Sequence, residues 1–388
     1  MTADVLIDVN PALKAQTTGV GVYTGELIKH FDEQQPAGVN VGFYFNSRRR
    51  GHTGYLSSKL SSRQMKNGFE SGVSYHCGVD MEWGRLGSRW VDLETWLLAS
   101  SNRSRIFHAT NILLPSLPRR MRSVVTIHDL LFSRFPHFET PYAQARWSER
   151  VSSAVKRADR VIAVSQSTAN DLQTYYKLES DKISVIYEGV DQAEIKWIPL
   201  TEISPTRQRW GLPEKFLLFV GTQSVHKNLV HLVKAFTQLH DPEVGLVIVG
   251  KPGNQSTEIE ELLQQCPRRD KVWRFGYLAQ DQLEELYQLA SLFVFPSLHE
   301  GFGLPVLEAM KRRLPVIASN NSSLGELFRD SAVLVDPHAP ADIARAIDML
   351  LSQPETRKAL VEKGERAARS FTWNKMAEQT GEVYRSLL

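Results

Sequence analysis

Short runs of apolar and β-branched residues recur through the first half of the chain, at 5–9, 41–45, 106–110, 123–129, 160–165 and 183–189. Each is apolar on both faces, the pattern of a strand covered by helices on either side, and helix-like stretches separate the runs. The second half repeats the pattern at 216–221, 245–250, 271–278, 292–297, 315–319 and 332–337. Strands of this kind alternating with helices predict a parallel, doubly wound sheet in each half, so an α/β chain of two Rossmann-like domains.

Between the halves, residues 191–213 carry three prolines and little periodicity, which predicts an interdomain connection with domains at 1–197 and 198–372. The final stretch, 371–388, reads as one or two helices anchored by Trp373, Met376 and Tyr384. Open parallel sheets bind ligands beyond the carboxyl ends of their strands. Two such domains facing one another therefore predict a site in the cleft between them.

Composition narrows the function classes. The 388 residues are 42% hydrophobic and 23% charged, without low-complexity tracts or repeats, so a full core is expected. The longest apolar runs fall far short of the roughly 18 residues that a membrane span needs. The acidic Asp4 and Asp8 do not suit an export signal, and a cytoplasmic protein is expected. Cys77 and Cys266 lie far apart without ligand-spaced partners, which argues against a disulfide frame or a metal site. A net charge of +3 is too small to indicate nucleic acid. Residues 48–122, however, hold thirteen Lys and Arg against five Asp and Glu, a local balance of +8 that suits the phosphates of an anionic membrane.

The richest stretch is SLHEGFGLPVLEAMKRRLPVIAS at 297–319, which reads as strand end, glycine turn, helix, next strand. Gly301 and Gly303 admit a close backbone approach, and Pro305 suits a first helical turn. Such a helix start, with its outward N–H groups and positive dipole end, favours a diphosphate near Gly303, Leu304 and Pro305. Glu300 and Glu308 only accept hydrogen bonds when ionised, so they point to hydroxyl groups, Glu300 to a hexose and Glu308 to a ribose diol. After 216–221, Lys227 sits near a second helix start. A cation is unfavourable for the dipole there and is better explained by a phosphate, with His226 assisting when protonated. In the first half, Gly19 and Gly21 read as a flexible turn before a helix at 23–31. His128 and Asp129 end one strand and His108 another, all at the ligand-binding edge. Each has a plainer reading: His108 and His128 as loop hydrogen-bonders, Asp129 as a cap.

These segments together resemble the retaining nucleotide-sugar glycosyltransferases of family four, with the two-domain fold called GT-B. HEGFGLPVLEAM at 299–310 is similar to that family's paired-glutamate motif, and RADRVIAVSQSTANDL, VIYEGVD and FVGTQSVHKNL occur in family order. TIHDLLFSRFP at 126–136 and ASNNSSLGEL at 318–327 are most similar to the mannosyltransferase-like branch of bacterial surface-polysaccharide synthesis. The resemblance implies donor contacts along Glu300, Gly301, Phe302, Gly303, Leu304 and Glu308, with Lys227 on the diphosphate and Tyr277 and Leu278 at the base. It places His128 beside the sugar, Gly19 and Gly21 over it, and the C-terminal helix 373–388 back on the first domain. One departure is plain: relatives carry Arg immediately before the lysine, where this chain has His226, which is mostly neutral near pH 7.

The resemblance implies hexose transfer from a nucleoside diphosphate, GDP-mannose or a related GDP-sugar, to a hydroxyl with retention at the anomeric carbon. No metal or other cofactor is expected, because Lys227 and the helix start supply the counter-charge. A lipid-linked glycan is the preferred acceptor, with Asp129 and His108 as candidate acceptor contacts, which suits a cytoplasmic enzyme at the inner face of the plasma membrane. Two other classes remain in view: a nucleotide-sugar epimerase of the same fold, which needs no acceptor, and a non-catalytic nucleotide-sugar binder. An NAD dehydrogenase is disfavoured by the lack of a complete G-x-G-x-x-G turn with an acidic ribose ligand.

Overall fold

The computed structural model describes residues 4–13, 18–34, 39–46, 75–77, 104–138 and 140–388. The chain divides into two compact units, Met1–Glu188 with Trp373–Leu388, and Gly189–Thr372. In the first, β1 (Val5–Asp8), β2 (Val41–Asn46), β3 (Tyr75–Cys77), β4 (Ile106–Ala109), β5 (Arg122–Ile127), β6 (Arg160–Ala163) and β7 (Ile183–Val185) form one sheet. Its order is β3-β2-β1-β4-β5-β6-β7, with every pairing parallel. In the second, β8 (Phe216–Val220), β9 (Gly245–Val249), β10 (Val272–Phe275), β11 (Leu292–Phe295), β12 (Val316–Ser319) and β13 (Val333–Val335) run β10-β9-β8-β11-β12-β13, again parallel throughout.

Both units are therefore doubly wound. The winding direction reverses between β1 and β4 and between β8 and β11, and the loops leaving those strands diverge, which opens a place for a ligand. The inner strands are buried on both faces, as their apolar runs require: Val5–Asp8, Ile106–Ala109, Gly245–Val249, Leu292–Phe295 and Val316–Ser319 are buried throughout. Aromatic side chains fill much of the second core, with Phe219 against Phe295 and Tyr287 against Phe293.

The structure corrects three expectations. Gly19 and Gly21 are not a turn; they open a helix that runs Gly19–Gln34. Burial of Tyr23, Leu27, Ile28 and Phe31 along one face outweighs the poor helix propensity of glycine. The irregular connection at 191–213 contains a helix, Leu200–Arg209, with Pro205 inside it. Thr206 is its buried residue, so it has almost no apolar face for a periodicity to reveal. Strand β3, three residues long, carries no apolar run and was not expected. Most of the basic stretch 48–122, namely 48–74 and 78–103, lies outside the described residues, as does the side chain of Cys77.

The C-terminal helix Trp373–Arg385 belongs to the first unit. It packs on the Gly19–Gln34 helix, where Gln34 Nε2 donates to Asn374 Oδ1 at 2.9 Å and Phe31 meets Tyr384. Its three apolar anchors, Trp373, Met376 and Tyr384, are all buried.

Candidate functional site

The reversal point of the second sheet is flanked by the loop after β8, which carries His226 and Lys227, and the loop after β11, which carries Glu300. These loops bring Lys227 and Glu300 together: Nζ donates to Oε1 at 2.7 Å and to Oε2 at 2.9 Å, with both side chains mostly buried. Lys227 Nζ also lies over the Phe295 ring, 5.0 Å from its centre. Burial pushes the Glu300 carboxyl up, but Lys227 and, less strongly, His226 outweigh it and hold the group below the ordinary range. The result is a fixed carboxylate with a fixed ammonium at a ligand-binding edge.

Two sets of side chains that sequence reading assigned no role hold these loops. Asn228 sits in the left-handed region, φ 59°, which Asn tolerates better than most residues. Its Nδ2 donates to Pro296 O at 2.8 Å and Pro337 O at 2.7 Å, tying the Lys227 turn to the ends of β11 and β13. The Glu300 loop is stapled by the segment after β12. Ser322 Oγ accepts from Glu300 N, Ser323 Oγ donates to the carbonyls of Glu300 and Phe302, and Asn321 Nδ2 donates to Leu298 O. The signal was the polar run NNSS within ASNNSSLGEL, whose contacts cannot be inferred from its own spacing.

Gly303 precedes the helix Leu304–Lys311 at φ 113°, which calls for glycine, and a Cβ there would also crowd Leu324 Cδ2 at 2.6 Å. Pro305 has no N–H, and Val306 and Leu307 donate back to Gly303 O, which narrows the amides a ligand can use at this end to Gly303 and Leu304. Phe302 and Gly301 are buried beside it. Glu308, one turn on, accepts from Tyr287 Oη at 3.1 Å, and Arg312 Nη1 donates to its carbonyl. Burial raises its carboxyl pKa, and Arg312 and Tyr287 offset that only in part. Arg312 is in turn paired with Glu284 and stacked on Tyr287. After β10, Tyr277 is exposed with Lys251 Nζ over its ring, and Leu278 is half-buried.

In the first unit, His128 follows β5 directly, with Nδ1 3.0 Å from Glu188 Oε1 and Nε2 3.0 Å from Thr110 O. Tyr23 meets the ring edge-on at 4.8 Å. His108 departs from the acceptor role considered for it. It is fully buried, its Nδ1 2.5 Å from Tyr384 Oη and its Nε2 2.8 Å from Thr126 Oγ1. Desolvation, with the neighbouring His128, pushes its pKa down to about 3, so it is a neutral core residue that anchors the C-terminal helix. Asp129 is exposed and its Oδ1 accepts from Leu131 N, at the first residue of the short helix Leu131–Arg134, whose N-cap is Leu130. Gly21 is buried and Gly19 exposed in the first turn of their helix.

The chain is similar to known proteins over most of its length. A family described as Glycosyltransferase Family 4 matches residues 17–194, and one described as Glycosyl transferases group 1 matches residues 202–367. An O-antigen chain mannosyltransferase B of Escherichia coli is 28% identical over 302 residues, 76% of this chain and 77% of its own. An alpha-maltose-1-phosphate synthase of Mycolicibacterium smegmatis is 31% identical over 266 residues, 63% of this chain and 67% of its own. Among solved structures, the Anabaena protein HepE in complex with UDP and glucose matches with a TM-score of 0.75 at 17% identity, over 99% of this chain and all of that one.

Proposed function

This chain belongs to the family-four glycosyltransferases of the GT-B fold, and from that premise we propose that it is a retaining hexosyltransferase using a nucleoside diphosphate donor. The observation that carries the reading is the Lys227–Glu300 pair on the two loops flanking the reversal point of the second sheet. In the proposed donor complex the ammonium turns to the diphosphate, and the amides of Gly303 and Leu304 add donors to it. Glu300, released from Lys227, then accepts from hydroxyls of the hexose, and Glu308 from the ribose. Tyr277 and Leu278 line the base. The unit Gly189–Thr372 is the donor side and the unit Met1–Glu188 with Trp373–Leu388 the acceptor side, with His128, Gly19 and Gly21 beside the sugar.

Transfer proceeds with the acceptor hydroxyl attacking on the face the diphosphate leaves, through an oxocarbenium-like state, its proton passing to a leaving-group oxygen. No divalent metal takes part, since Lys227 and the helix start stabilise the departing charge. Turnover that survives chelation of divalent cations supports this, and its loss overturns it.

The donor is a GDP-hexose, most simply GDP-mannose. Support comes from the mannosyltransferase relative, while the alpha-maltose-1-phosphate synthase at similar identity keeps other donors in play. The acceptor is a hydroxyl of a lipid-linked glycan in surface-polysaccharide assembly, reached from the inner face of the plasma membrane by peripheral attachment. Among the described residues no helix is long and apolar enough to cross a membrane. Cosedimentation with liposomes that rises with anionic lipid supports attachment, and indifference to lipid charge removes it.

The testing experiment is thermal stabilisation by GDP, UDP, ADP and dTDP at equal concentration. A ligand at about 100 times its dissociation constant adds about 2.7 kcal/mol. A shift selective for GDP supports the donor; a shift selective for UDP keeps the transferase and replaces the donor; no shift with any of them overturns the donor site. An epimerase of this fold differs in consuming donor without an acceptor.

A further inference from the structure

Glu188 has no place in the roles described so far, yet it is 4% exposed and its carboxylate touches His128. The hydrogen bonding of that ring is over-determined. Nε2 lies 3.0 Å from the carbonyl of Thr110, and a carbonyl oxygen can only accept, so Nε2 carries a hydrogen. Nδ1 lies 3.0 Å from Glu188 Oε1, and an ionised carboxylate also only accepts, so Nδ1 carries one too. Opposite an ionised Glu188, a ring bonded in this way is an imidazolium whose orientation is fixed at both nitrogens and by the edge-on Tyr23.

The groups around it agree. From the same segment Asp129 adds negative charge, from β4 the neighbouring His108 is held neutral by burial, and from the Gly19–Gln34 helix Tyr23 spends its hydroxyl on Thr126. Burial pushes the His128 pKa down. The Glu188 bond and charge, the Thr110 carbonyl and Asp129 outweigh it, and the net direction is up.

We propose that Glu188 is a positioning residue of the transfer reaction, holding His128 as an oriented cation that cannot act as a base. This deepens the reading of the site given above and rests on it, because it takes His128 to lie beside the sugar. With both nitrogens engaged, His128 contributes a fixed positive charge at the carboxyl edge of the first sheet, without taking a proton.

The test combines nitrogen-15 NMR of the histidine rings with pH–rate profiles, His128 being assigned by its loss in His128→Gln. At pH 7.5 the wild-type ring shows two protonated nitrogens. Glu188→Gln can satisfy a neutral ring by turning its amide, so in that variant one nitrogen becomes the unprotonated type. There kcat/KM falls about 10- to 100-fold at pH 7.5 and recovers as the pH is lowered toward 6, with donor KM little changed. Glu188→Asp, which keeps the charge, restores much of the activity. An unprotonated nitrogen on the wild-type ring at pH 7.5, or a Glu188→Gln profile parallel to wild type, overturns the proposal. The NMR measurement needs no turnover to decide the charge state of the wild-type ring. Two protonated nitrogens in a chain that transfers no sugar would overturn the transferase role and leave the charge state standing.

Discussion

Lys227 holds Glu300 with one ammonium group bonded to both carboxylate oxygens, at 2.7 and 2.9 Å, and neither side chain has another strong counter-ion in the bonds described. On the reading proposed above, a donor that draws Lys227 toward its diphosphate also frees Glu300, so donor binding and release of that carboxylate are one event. Glu300→Gln is expected to lower kcat about 100- to 1,000-fold while nucleotide affinity changes little, as removal of a preorganised polar contact does elsewhere. Lys227→Ala is expected to weaken nucleotide binding and also to destabilise the unit by about 3 kcal/mol, because it strands a buried carboxylate. Steady-state kinetics with nucleotide titration and urea unfolding separate the two, and equal nucleotide affinity in Lys227→Ala rejects its phosphate role.

Glu308 is set by Tyr287, whose hydroxyl donates to Oε2. Tyr287→Phe removes that bond while keeping the ring under Arg312, so folding stability should fall by about 1.5–3 kcal/mol, the range for a hydrogen bond to a charged group, and nucleotide affinity should fall with the loss of Glu308 orientation. Because burial raises the Glu308 pKa, its carboxylate form is disfavoured at low pH. Nucleotide affinity in wild type should therefore weaken as the pH is lowered through the weakly acidic range. Calorimetry that finds the Phe variant and wild type alike would reject the network.

His226 gives the opposite pH dependence. It stands where the resembled family commonly carries arginine, and a histidine that gains a proton as the pH falls adds positive charge beside the proposed diphosphate position. His226→Arg is expected to tighten donor binding at pH 7.5 and to abolish any gain between pH 7.5 and 6. If wild type already shows no gain over that interval, His226 takes no part in donor binding.

His108 sets a limit on acid stability. The unfolded chain protonates this histidine near 6.5, whereas the folded protein resists until about 3. The unfolded state binds the extra proton between those values, so stability falls as pH drops through the window, by up to about 1.4 kcal/mol per unit. His128, with its pKa raised, acts oppositely: its contribution is complete below 6.5 and is lost as the pH rises through the folded value. The urea midpoint should therefore decline between pH 6.5 and 5.5 in wild type and decline less in His108→Asn. Equal slopes would show that His108 is not responsible.

Asn228 is a test of how the loops are held. Asn228→Ala removes bonds to Pro296 O and Pro337 O and leaves alanine in the left-handed region, which together should cost about 2–4 kcal/mol. Differential scanning calorimetry measures the loss, and a change within 0.5 kcal/mol, on the scale of a surface substitution, would contradict the stapling role.

Much of the fold was legible in the sequence because doubly wound sheets are written in short apolar runs: twelve of the thirteen described strands coincide with one. The exceptions have physical causes. Tyr75–Cys77 is a three-residue strand without an apolar run, and Leu200–Arg209 is a helix with almost no apolar face. At Gly19 and Gly21, local propensity spoke for a turn and burial of the following aromatic and aliphatic face decided for helix.

The sequence by itself determined which residue types stand at the strand ends: Lys227, Glu300, Glu308 and His128, with Gly303 at a helix start. It could not determine what each of them touches. Lys227 and Glu300 are 73 residues apart and His128 and Glu188 60 apart, and their pairing follows from strand order, which brings distant loops to one edge. The same geometry sealed His108 beneath Tyr384, 276 residues away, and changed a strand-end histidine from a candidate ligand contact into part of the core. Periodicity is a local property and fixes which face of an element is buried; partners across a parallel sheet are set by the winding of the whole chain.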